Sequence, residues 1–168
     1  MGVRYRTVKD NLPKMQRAIQ TIDGKFISVG AKGDMAWLAG IHEYGCRIRI
    51  TDKMRKWLHA NGLPVKKTTT EIIIPERSFL RAGFDLNHED VVRQAERILP
   101  QVISGKLSED VLYETIGLLL QDAIRDYIED LRTPPKHPFT LKRNPNKTNP
   151  LIVSGAMRDS IEYEVVDE

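Results

Sequence analysis

The sequence predicts an α+β fold: a small, mostly antiparallel sheet packed against several helices. Three observations carry this. One long amphipathic stretch, residues 108–131, has helical periodicity. Four short β-branched runs lie among shorter helical stretches, each closed by glycine, proline or a polar turn. With 168 residues, 40% apolar and 29% charged, the chain is long enough for one domain with a real core.

The long stretch is the expected centre of the fold. Val111, Leu112, Thr115, Leu118, Leu119, Ala123, Ile124, Tyr127, Ile128 and Leu131 keep one broad face apolar at a period of 3.6. Ser108 suits the N-cap, Glu109 and Asp110 complement the positive helix end, and Pro134 with Pro135 stops continuation. At 1.5 Å per residue such a helix is about 36 Å long.

The other elements follow in chain order. Asp10 and Asn11 start a first helix through Met15, Ala18 and Ile22, which Gly24 ends. Residues 25–31 read as a strand. Asp34 caps a short helix through Trp37 and Ile41, closed by Gly45. Residues 47–50 alternate Arg and Ile, a strand with one wet face. Thr51 caps a helix over 52–60 with Asn61-Gly62 as its stop, and Ile72-Ile73-Ile74 returns as a strand ended by Pro75. The whole reads as an elaborated hairpin. Two helices are expected next, one over 79–84 and one opened by Asn87 and Asp90 and kinked at Pro100.

Composition shifts after Leu131. Residues 132–149 carry four prolines, several basic residues and no acidic one, and read as an exposed basic loop or arm. Order returns at Pro150, followed by a short helix from Ala156 and a closing strand over 161–166.

The net charge of +3 is too small to argue nucleic-acid binding by itself. A single cysteine, Cys46, leaves no disulfide framework and no multi-cysteine zinc site. No apolar run reaches the ~20 residues of a membrane span. The first residues lack the apolar core of a signal peptide, and Arg6 stands where a myristoylation signal needs Ser or Thr. Together these place synthesis in the cytoplasm, with no membrane partner and no cofactor expected.

His42-Glu43 is the first pair to test for chemistry. A zinc protease helix needs a second His four residues on, where this chain has Cys46. A structural His, bonded to or ion-paired with Glu43, is the better reading. Ser154-Gly155 lacks the flanking glycines of a hydrolase elbow, and Ser154 reads as a helix cap with Gly155 as a turn. No catalytic residue and no metal site is therefore assigned. In the arm, Lys136, Lys142, Arg143 and Lys147 surround Phe139. They fit a phosphate backbone, a neighbouring subunit, or a solvated loop kept soluble by its charge.

Three segments, in this order, resemble the small neck and tail-completion proteins of tailed bacteriophages. They are Ala39-Gly40-Ile41-His42-Glu43-Tyr44-Gly45; Ile74-Pro75-Glu76-Arg77-Ser78-Phe79-Leu80-Arg81; and residues 149–161, with Pro150-Leu151, Ser154-Gly155-Ala156-Met157 and Ser160-Ile161. The resemblance implies a structural virion protein, not an enzyme. It would act in head–tail joining or tail completion as a ring or bound rim. Its partners would be further copies of itself, other neck or tail proteins, and DNA passing non-specifically through a channel.

In that setting His42, Glu43, Tyr44, Gly45, Pro75, Arg77, Phe79, Ser154, Gly155 and Ser160 are expected as fold or interface residues. Arg77 and Arg81 are expected to project from the same region. The rival reading is a non-virion nucleic-acid-binding protein that uses the arm, with affinity falling steeply with salt.

Overall fold

The computed structural model describes residues 12–22 and 24–167. The expected helix start at Asp10 and Asn11 lies outside them. The element order is α1 (Leu12–Ile22), β1 (Lys25–Ala31), α2 (Met35–Tyr44), β2 (Cys46–Arg49), α3 (Asp52–Ala60), β3 (Glu71–Ile74), α4 (Phe79–Ile103), α5 (Glu109–Asp130), α6 (Pro138–Arg143), α7 (Ala156–Asp159) and β4 (Ile161–Asp167).

The α+β class holds, with its strands divided between two pairs: β1 lies beside β4, and β2 beside β3. The second pair is antiparallel, with Cys46 opposite Ile74 and Arg49 opposite Glu71. It is the elaborated hairpin read from the sequence. Thr51 Oγ1 accepts the Met54 N–H at 3.2 Å and so starts α3, while Ile50 N–H donates to Thr70 O at 2.8 Å and closes the excursion.

The chain contacts divide into two units. The first draws on the chain up to Val29, on Asn87–Leu120 and on the chain from Tyr163; the second is built from Gly30–Leu86 and Gln121–Glu162. In the first, Val102, Leu112, Ile116 and Leu120 form a buried cluster, covered by Ile27, Val29, Val91, Ile98 and Leu99. Tyr113 donates its hydroxyl to Ile22 O at 3.0 Å. In the second, Phe79, Ile128 and Ile161 are fully buried, and Leu58, Leu151 and Met157 nearly so.

Three expectations change. The stretch 79–103 is one helix, not two; Asn87 and Asp90 lie in its interior and Pro100 sits inside it. The lost Pro100 N–H bond is tolerated where burial of Val102 holds the last turns. The helix expected over 108–131 is present as α5, but its buried stripe is rotated. Leu112, Ile116, Leu120, Ile124 and Ile128 are buried at a spacing of four, whereas Val111, Leu118 and Leu119 are 36–42% exposed. With apolar residues on most sides of this stretch, periodicity alone does not select the stripe.

The third change concerns the arm. Residues 132–149 are mostly exposed, as expected, but are not an unstructured loop: they contain α6, whose N-cap His137 accepts the Phe139 N–H at Nδ1, and they bury Lys136. Asn149 then clamps the segment to the end of α5. Its amide donates to Ile128 O and Glu129 O, and its carbonyl oxygen accepts the Leu151 and Ile152 N–H groups. Two orphan carbonyls at the helix C-terminus are thereby satisfied.

Candidate functional site

The first two sequence segments meet in the second unit at the start of α4, and α7 of the third packs against α2. The first turn of α4 contains no acidic residue, so its free N–H groups need an acceptor from elsewhere. Glu43, near the end of α2, supplies it. Its Oε2 accepts Leu80 N–H at 2.8 Å and its Oε1 accepts Arg81 N–H at 3.2 Å, with only 1% of the residue exposed. Glu43 thus stands at the positive end of the helix, where a negative group is attracted.

Arg81 completes this arrangement from outside. Its Nε donates to Glu43 Oε1 at 2.9 Å, its Nη2 donates to Glu76 Oε1 at 2.7 Å, and its guanidinium lies 5.1 Å from the centre of the Tyr44 ring. The hydrogen bond to Glu43 is the largest cause holding the Arg81 guanidinium above its ordinary pKa. Tyr44 is 70% exposed, so this side of the cluster faces solvent.

Arg77 does not project outward as expected: it is 7% exposed. Its Nε donates to Pro134 O at 2.9 Å, its Nη2 to Pro135 O at 3.1 Å, and its Nη1 lies 3.2 Å from His42 Nδ1. Arg77 N–H also donates to His42 O at 2.7 Å. A guanidinium only donates, so His42 Nδ1 is the acceptor and the ring is neutral. Burial, and then the Arg77 charge, hold the His42 pKa below its ordinary value. His42 and Glu43 were expected to bond or ion-pair with each other. They instead take separate partners, Arg77 and the α4 terminus.

Gly45 joins α2 to β2 at φ 71°, ψ 171°, a conformation open essentially only to glycine. A Cβ there would stand 2.9 Å from Glu76 N and 3.0 Å from Ile74 O, so β3 and Pro75 run against bare backbone. Phe79 is fully buried and anchors α4. In the third segment Ser154 Oγ accepts Ala156 N–H at 3.2 Å, Gly155 takes φ 94°, and Ser160 donates its hydroxyl to Met157 O at 2.7 Å. Gly155, and not Ser154, is the N-cap of α7, which corrects the cap reading of Ser154: its hydroxyl closes the turn ahead of the helix, and Gly155 makes the turn as read.

The arm cations do not act as a set. Lys136 is 7% exposed and donates to Lys147 O and Ile152 O, both at 2.8 Å. Burial, and then Lys147 and Arg77, lower its pKa. Its expected contact with DNA or a neighbour is therefore corrected: the ammonium is spent on two carbonyls. Lys147 is exposed but donates to Val153 O. Lys142 and Arg143 remain outward, with Arg143 over the Phe139 ring at 5.7 Å.

Sequence reasoning missed Asn149 and the inward roles of Lys136 and Arg77. Only the helix lacking its own acidic first turn hinted at Glu43. Among the described residues no three His, Cys, Asp or Glu side chains are grouped to hold a metal ion. Both Glu43 oxygens are already occupied by N–H donors, so the cluster is a polar frame that fixes three chain segments. No protein-family model matches this chain, and no curated protein or solved structure is found to be similar to it.

Proposed function

We propose that the chain is a structural virion protein of a tailed phage or prophage, acting in head–tail joining or tail completion. It works by multimeric assembly, is made in the host cytoplasm and is carried in the particle. One observation supports this reading above the others. Two of the three segments that resemble neck and tail-completion proteins are used together, as Glu43 on Leu80 and Arg81 and as Arg77 on His42, and Arg77 ties them to Pro134 and Pro135. They build a rigid frame instead of an open reactive cleft, as an assembly subunit requires.

Outward residues would then make the contacts to neighbours. Lys142 and Arg143 are the arm cations left for a neighbouring ring or the DNA path. The test is electron microscopy of an induced lysate lacking this gene. DNA-filled heads beside unattached tails support joining; tails of abnormal length or ragged ends support completion. Intact infectious particles overturn the proposal.

A further inference from the structure

A second concentration of positive charge, apart from the arm, lies in the β2–α3–β3 excursion. Residues 46–74 hold seven Lys and Arg against two carboxylates, a local excess larger than the +3 of the whole chain. Two of the seven have hydrogen-bonded or ion-paired partners, and a third faces a carboxylate across the strand pair. Arg55 donates to Val65 O, to Lys66 O and, at 2.8 Å, to Thr69 O, which ties the 65–69 loop to α3. Arg47 lies 4.0 Å from Glu71, and Arg49 stands opposite Glu71 in the strand register.

The remaining four cations are all lysine: Lys53, Lys56, Lys66 and Lys67. Each is exposed, and none forms an ion pair with a described residue. Lys53, Lys56 and Trp57 fall at i, i+3 and i+4, so they share one face of α3. Trp57 is 56% exposed among them. Leu58, buried on another side of the helix, fixes α3 in place, and the Arg55 bonds hold the loop lysines to it. Asp52, the acidic residue on α3, sits in the first turn, where it complements the helix N-terminus.

We infer that this excursion is a nucleic-acid contact: Lys53, Lys56, Lys66 and Lys67 engage the phosphodiester backbone without reading sequence, and Trp57 lies against sugar or base. Lysine ammoniums act as hydrated point charges that pair with phosphate without a fixed geometry, as a contact that reads no sequence requires. An exposed indole among cations supplies the flat apolar surface that nucleic-acid contacts use beside their charge. The inference does not depend on the virion reading, because it concerns the isolated protein.

The test is anisotropy of a labelled 24-base-pair duplex with the full chain, titrated from low to moderate salt. Four phosphate contacts give a slope of log K against log salt of about −3.6. Reversing Lys53 and Lys56, or Lys66 and Lys67, to Glu should each remove about two units of that slope and at least tenfold in affinity at low salt. The Gln versions show the same trend more weakly and guard against a folding defect. Reversing Lys14 and Arg17 on α1, which changes net charge equally, should leave the slope in place.

Wild-type protein that does not bind the duplex overturns the inference. So does binding lost only on reversing Lys142 and Arg143, or binding to anionic vesicles without binding to DNA. None of these outcomes bears on the lysate test of virion assembly, so the two can fail separately.

Discussion

Glu43 caps a helix that it does not belong to: its Oε2 accepts the N–H of Leu80, 37 residues further along the chain, at 2.8 Å. The bond joins the end of α2 to the start of α4, and Arg81 closes over it. Replacing Glu43 by Ala leaves the Leu80 and Arg81 N–H groups without the acceptors that this buried side chain supplies. Two lost helix-terminal bonds of this kind cost about 2–3 kcal/mol. Glu43→Gln keeps one acceptor oxygen and should cost about 1 kcal/mol. Urea unfolding with an unchanged slope would read both values. Equal midpoints for wild type and Glu43→Ala would show that the cap contributes nothing.

His42 makes stability depend on pH with a definite sign. Burial and the Arg77 charge lower its pKa in the folded protein, whereas the unfolded chain takes up its proton near the ordinary value of about 6.5. Between the lowered value and 6.5 the unfolded state binds more protons, so stability rises with pH there. The contribution is complete above about pH 6.5 and is lost as the solution is acidified toward the folded value. His42→Gln should flatten this part of the profile. The difference in urea midpoint between wild type and variant, followed from pH 7.5 to 5.5, isolates the effect from the carboxylates. Parallel profiles would refute the assignment.

Lys136 predicts that one buried lysine, not the charge of the arm, holds residues 132–152 in place. Lys136→Met keeps most of the stem and removes both bonds, to Lys147 O and Ile152 O. Two stranded carbonyls make the expected loss about 2 kcal/mol. Amide exchange should quicken in this segment, including at Leu151 and Ile152, whose N–H groups Asn149 holds. Lys142→Met, at an exposed position, should stay within about 0.5 kcal/mol of wild type. Equal losses for the two variants would contradict the structural role.

These cases also show what the sequence could convey. β1 over Lys25–Ala31, the Thr51 cap and the β2–β3 hairpin were legible because their causes are local: β-branched runs, a capping hydroxyl, a glycine stop. The continuity of α4 through Asn87 was not, since a residue that favours caps also tolerates a helix interior when packing holds both sides. Arg77 and Lys136 were read as outward because charged residues usually are. Their acceptors are backbone carbonyls of Pro134, Pro135, Lys147 and Ile152, and no spacing rule announces such pairs. The basic excursion was visible residue by residue. Only the Arg55 bonds show that its loop and helix form one held surface.

Gly117 gives a prediction whose sign runs against helix propensity. In a helix interior Gly→Ala ordinarily stabilises by about 1 kcal/mol. Gly117 sits within α5, and a Cβ on it would overlap Cδ2 of Tyr163 and stand 2.5 Å from its Cγ. The ring lies against the bare helix backbone, so Gly117→Ala must displace it. Overpacking of this size costs about 1–3 kcal/mol, which outweighs the propensity gain. Tyr163→Ala removes the obstacle along with the ring's own packing. In that background Gly117→Ala should become neutral or stabilising, a coupling of 1 kcal/mol or more between the two positions. A double-mutant cycle by urea unfolding measures it. Additive effects, or a more stable Gly117→Ala single variant, would mean that Tyr163 does not rest on α5.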